Sequence, residues 1–233
     1  LTIMKTKNLK AMCSVVLASS LIGGSVIIGM SACSEHETET PTVAEKQTET
    51  ATVIDGGVSE DVYKDATFKI WHTIKYSSRA AGNELTASEA TQMLQPFIDD
   101  GRMIQQQILQ NKDKYHLTID ESQAMMRMTD AQLAEMSFTL STIYNDAVAQ
   151  GVSQDDIVDC LLHATGIENI ADFLMFLGEG TATGQYITGT RLLINAKTAK
   201  DIIWAFGKRT VGIIGVAFMV YDFADCIKSK QQA

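Results

Sequence analysis

Cys160 and His163 stand three residues apart in a stretch with helical periodicity, so a helix would turn a thiol and an imidazole the same way. Such a pair could begin a zinc site or an activated nucleophile. Zinc needs four protein ligands in a structural site, or three and a water in a catalytic one. His36, His72 and His116 lack ligand spacing to one another or to this pair. A nucleophile needs a third group, and no spacing supplies it. Because Cys160 falls on the apolar stripe, core for the thiol and boundary for the imidazole is the more economical assignment. Asp99-Asp100 and Asp155-Asp156 are adjacent acids, which diverge on a helix and read as solvated, with the second pair in a first helical turn. Gly178, Gly180 and Gly184 suggest a phosphate loop, but Thr183 occupies the third glycine position of a dinucleotide fingerprint and no strand precedes it. Methionines between Met125 and Met136 could line an adaptable groove, although filling core gaps is their commoner use. No catalytic residue, metal or cofactor is expected.

The remaining chemistry lies near the start of the chain. Lys5, Lys7 and Lys10 precede an apolar run from Ala11 to Met30, and small residues follow. A basic start, an apolar core and small residues before a cut form a secretory signal. The run is long enough for an uncleaved anchor, but Gly23, Gly24 and Gly29 weaken a helix there and no second basic flank follows. Met30-Ser31-Ala32-Cys33 resembles the lipobox of bacterial lipoproteins. That resemblance implies cleavage before Cys33, a diacylglycerol on its thiol and attachment to a membrane through the N-terminal lipid. Ser34-Glu35-His36-Glu37 is similar to the acidic export signal of Bacteroidetes surface lipoproteins, which implies an outer-membrane, surface-exposed placement in the cell envelope.

Removing residues 1–32 takes three lysines and no acid, so the formal charge of −9 becomes −12 on 201 residues. A charge that negative excludes binding built on neutralising nucleic-acid phosphates and argues against a polybasic membrane module. Cys13 leaves with the signal. Cys160 and Cys226 then have two fates: a disulfide, open to an exported protein, or unpaired burial as small hydrophobes, the commoner use of cysteine.

Residues 33–58 form the lipidated cysteine and an acidic Thr/Glu tether. Among its residues only Val43, Val53, Ile54 and Val58 are branched apolar, too few to offset the entropy of ordering, and the expectation is disorder. Residues 59–233 read as an all-α domain, an irregular bundle of six to eight helices. Ser59, Thr86 with Glu89, Asp120 or Thr118, Thr129 with Gln132, and Ser153 supply cap signals. The first stripe runs Val62, Ala66, Ile70, Ile74. The second runs Ala90, Met93, Leu94, Phe97, Ile98, Ile104, Ile108 and contains Pro96, where a kink is expected. Leu133, Met136, Leu140, Ile143 and Tyr144 make the most regular helix, followed by Ile157, Cys160 and Leu161, then by Ile170, Phe173, Leu174 and Leu177.

Residues 186–206 and 211–227 complete the domain as a buried C-terminal hairpin. The second helix is apolar all round, a pattern found at a bundle centre or in a membrane. In composition this hairpin resembles the hydrophobic hairpin of pore-forming colicins. Two functions from different classes follow: a lipid-anchored envelope module that binds or scaffolds an unidentified envelope protein, or a membrane-active antibacterial factor or its immunity lipoprotein. An envelope hydrolase has no motif to support it.

Overall fold

The computed structural model describes residues 51–77, 84–144, 152–167 and 191–232. Among these residues the fold is all-α: seven α-helices and one two-stranded sheet pack around a shared core. Strand β1 (Thr52–Asp55) leads through a glycine turn into α1 (Glu60–His72), which is continued by a π-helical turn over Thr73–Ser77. Helix α2 (Ala87–Gln110) is followed by α3 (Ile119–Met126), α4 (Asp130–Tyr144) and α5 (Gln154–Thr165). Strand β2 (Arg191–Ile194), α6 (Ala196–Phe206) and α7 (Ile213–Gln231) complete the described order.

The cap residues set most helix starts. Thr86 and Glu89, and Thr118 and Glu121, form reciprocal capping boxes at α2 and α3, and Thr129 and Gln132 exchange the same bonds at α4. Ser153 accepts from the Asp156 N–H, and Gly166 ends α5 in the left-handed conformation that glycine adopts at least cost. Ser59 holds the N-cap position of α1, but its side chain makes no capping bond; its carbonyl accepts from Tyr63 N–H. The buried stripe of α1 accordingly runs through Tyr63, Ala66, Ile70 and Trp71, and Val62 faces outward. Helix α2 continues through Pro96 to Gln110 with every predicted stripe residue buried.

Two stretches depart from the expectation. Residues 52–58, assigned to the disordered tether, enter the core. Thr52 pairs with Ile194 and Asp55 with Arg191 in antiparallel register, burying Ile54, Leu192 and Ile194. Gly57, at φ 95°, donates to Asp100 Oδ1 at 2.9 Å, and Val58 N–H donates to Ser141 Oγ at 2.8 Å. Residues 191–194, expected as helix, form the partner strand, and Asn195 caps the helix that follows. Each four-residue strand is ordered by partners 136 to 142 positions away, which local periodicity cannot register.

The C-terminal helices are buried as expected, α6 through Ile202, Ile203 and Phe206 and α7 through Val216, Val220 and Phe223, while the fully enclosed helix is another. All residues of α4 from Ala131 to Thr142 are buried, so α4 is the enclosed helix. Gly101 of α2 lies against the Leu133 backbone so closely that a Cβ there would collide with the Leu133 carbonyl. Helix α7 packs on α5, α1, α2 and α4, whereas α6 packs on α4 and α3. The C-terminal helices are thus anchored chiefly on different neighbours, and α7 keeps an outward side with Phe218 42 % exposed.

Candidate functional site

Cys33, the glycine stretch 178–184 and the apolar segment around Ile170 to Leu177 lie outside the described residues. Cys160 and Cys226 are joined in a disulfide between α5 and α7, with Cα atoms 5.7 Å apart. The bond consumes the Cys160 thiol, so neither a zinc ligand nor a nucleophile is available there. His163 instead lies within electrostatic reach of Asp222 on α7. Among the described residues no three His, Cys, Asp or Glu side chains converge to hold a metal ion.

Two further ties reinforce the α5–α7 clasp. Lys230 Nζ meets Asp156 Oδ1 at 2.6 Å, and this bond together with that from Ser153 holds the Asp156 carboxyl below its usual pKa. Arg209, in the connection between α6 and α7, donates from Nη2 to the Thr165 carbonyl at 2.6 Å. The same guanidinium places Nε 3.3 Å from Glu135 Oε1, on the enclosed face of α4. Gln132, one turn earlier, donates to the Arg209 carbonyl at 2.7 Å. Burial raises the Glu135 carboxyl to about 7, with Arg209 opposing the shift. In an ion pair so enclosed desolvation offsets the attraction, but leaving either charge alone is costly.

Asp100, expected at a solvated face, is buried. Its carboxylate accepts from Ser137 Oγ at 2.6 Å and from Gly57 N–H, which joins α2, α4 and the turn after β1. Burial raises its pKa while the two hydrogen bonds oppose that. Asp99 is exposed and pairs with Arg102. Met125, Met128 and Met136 are buried as core, leaving Met126 exposed. Asp100 was legible as an acid three residues after Phe97 and four before Ile104. Glu135 was equally legible, one residue before Met136 in the most regular helix.

An aromatic cluster on α1 escaped the sequence reading altogether. Phe68, Trp71, His72 and Tyr76 form a contiguous group, with ring centroids 6.5 Å apart for Phe68–Trp71, 5.8 Å for Phe68–His72, 5.9 Å for Trp71–Tyr76 and 4.9 Å for His72–Tyr76. Phe68 and Tyr76 are more than half exposed. Trp71 is buried and donates from Nε1 to Asp225 of α7 at 3.0 Å. Lys228 Nζ stands 3.0 Å and Lys75 Nζ 4.4 Å from the Trp71 ring centre, within cation–π range. The spacing of Phe68, Trp71 and His72 was visible in sequence, but the π-helical turn that brings Tyr76 onto the same face was not. No helix among the described residues is long and apolar enough to cross a membrane. No protein-family model matches this chain, and comparison with curated proteins and with solved structures finds no match.

Proposed function

We propose that the chain is a lipid-anchored cell-envelope protein whose helical domain binds or scaffolds an envelope partner and performs no catalysis of its own. The Cys160–Cys226 disulfide carries this reading, because such bonds form and persist in oxidising compartments outside the cytoplasm. It supports export from an observation independent of the signal-like start and of Met30-Ser31-Ala32-Cys33. The acidic groups most withdrawn from water, Asp100 and Glu135, support a non-catalytic role, since their partners Ser137, Gly57 and Arg209 tie helices and turns together.

The membrane-active alternative receives less support. Helix α7 places Val216, Ala217, Val220, Phe223 and Ile227 in the core, and its second half carries Asp222, Asp225, Lys228 and Lys230. Moving such charges to a bilayer centre costs at least ~2.5 kcal/mol each on insertion scales. Metabolic labelling with a radiolabelled fatty acid tests the anchor. The parent chain should take up label and fractionate with membranes, and Cys33→Ala should do neither. Label or membrane retention unchanged by Cys33→Ala would end this reading.

A further inference from the structure

We propose that the face formed by Phe68, His72 and Tyr76, together with Lys75 and Lys228, rests in the headgroup layer of the membrane to which the chain is tethered. This inference deepens the lipid-anchor reading and rests on it for the membrane's proximity. Phe68 is 58 % and Tyr76 53 % exposed, and both abut Trp71 or His72, so the apolar surface is one patch and not scattered rings. Isolated exposed hydrophobes need no explanation, whereas a contiguous group points to an interaction surface. The π-helical turn Thr73–Ser77 that places Tyr76 there is a form often found at functional positions.

The chemistry of the patch favours a lipid surface over a purely apolar partner. Tryptophan and tyrosine concentrate at membrane–water boundaries, where a ring can be apolar on one side and hydrated on the other. Lysines beside them attract anionic headgroups. Lys69 and His72 lie in the last turn of α1, and Lys75 and Lys228 stand over the Trp71 ring; the carboxylate among them is Asp225, which Lys75 meets at 3.4 Å, whereas Lys230 is held by Asp156. That is a local basic surface on a chain of formal charge −9, which marks an anionic occupant by charge complementarity. Reach is no obstacle, because the 17 residues between Cys33 and Ala51 can span at most about 60 Å when fully extended.

The test uses the chain from Cys33 onward with Trp204→Phe, which leaves Trp71 as the lone tryptophan. With Cys160 and Cys226 bonded to each other, Cys33 is the free thiol for coupling to maleimide-lipid vesicles of phosphatidylethanolamine and phosphatidylglycerol. Brominating the acyl chains near the headgroups should quench Trp71 emission. Phe68→Ser with Tyr76→Ser, both at exposed positions, should abolish the quenching while circular dichroism and melting stay unchanged. Equal emission on brominated and ordinary vesicles overturns the proposal. So does a concentration-dependent dimer in vesicle-free solution that the double variant dissolves, because the face would then belong to a second copy. Since the lipid is supplied chemically, the outcome does not depend on acylation in the cell. An unmodified Cys33 in cells would end the anchor reading and leave this measurement standing.

Discussion

Helices α4 and α7 make the most instructive pair in the molecule. Between Ala131 and Thr142, α4 carries six polar side chains and is buried throughout, while α7 has no charged residue from Ile213 to Tyr221 and still leaves Phe218 in water. Apolar content alone would place them the other way round. What encloses α4 is the supply of partners. Gln132 reaches the Arg209 carbonyl, Ser137 Asp100, Ser141 the Val58 N–H and Thr142 the Tyr63 hydroxyl at 2.6 Å; Glu135 has the Arg209 guanidinium as an ion-pair partner only, and Thr139 Oγ1 is buried without a hydrogen bond among the described residues. Buried polar groups are tolerated when such bonds exist. Close approach completes the effect, since Gly101 of α2 lies against the Leu133 backbone with no room for a Cβ. Among the described residues helix α7 packs chiefly on α5, α1, α2 and α4.

The sharpest way to break this comparison is to exchange one aromatic from each helix for alanine. Phe138 stacks on Tyr63 at 5.8 Å and meets Phe97 and Phe223 edge-on, all within the core. Phe138→Ala should cost roughly 3–5 kcal/mol in urea unfolding. Phe218→Ala should stay within about 0.5 kcal/mol, as exposed substitutions do. Equal losses would mean that α7 is as enclosed as α4.

The α5–α7 disulfide spans a sequence separation of 66 residues. Replacing both cysteines by alanine should lower stability by up to about 4 kcal/mol on loop entropy, with helical circular dichroism unchanged. An unchanged unfolding midpoint would show that Lys230–Asp156 and Arg209–Thr165 hold the clasp by themselves.

Glu135 sharpens the comparison through pH. Its carboxyl is raised from 4.5 to about 7, so the folded chain holds the proton more tightly than the unfolded one. The associated stability is full below pH 4.5 and is lost as pH rises toward 7, by an amount on the order of 3 kcal/mol. Glu135→Gln should flatten the dependence of melting temperature on pH in this window. A slope unchanged in the variant would assign the dependence to another group, and Asp100, whose pKa is also raised, is the first to test.

How much of this could be read in advance depended on the range of the interaction. The capping boxes at Thr86 and Thr129 and the stripe of α2 depend on neighbours within one turn, and the structure has them as the residues suggest; between Asp120 and Thr118 the structure places the cap at Thr118. The β1–β2 pair depends on a partner far along the chain. Val53 and Ile54 alone are too short an apolar run to distinguish from the acidic stretch before them, and Leu192 and Ile194 fit a helix as well as a strand. For the cysteines, sequence left pairing and burial open, because nothing local fixes whether Cα atoms come within 5.7 Å. The buried acids were visible as breaks in an apolar stripe, but their partners Arg209, Ser137 and Gly57 were not. Trimming checks the new boundary with the smallest expected effect. Removal of residues up to 50 should leave the melting temperature unchanged, whereas removal through 58 should lower it by stripping Ile54 and Val58 from the core. Equal melting temperatures would return residues 51–58 to the tether.

We propose an exported, lipid-anchored chain with a disulfide-clasped helical domain. Intact mass of the protein extracted from cell membranes, unfolded and alkylated without reduction, tests it most directly. The predicted result is a chain beginning at Cys33, heavier by its acyl groups, with Cys160 and Cys226 unalkylated until a reductant is added. A chain that retains residues before Cys33, carries no lipid and takes up alkylating agent at both Cys160 and Cys226 would be neither lipid-anchored nor disulfide-clasped.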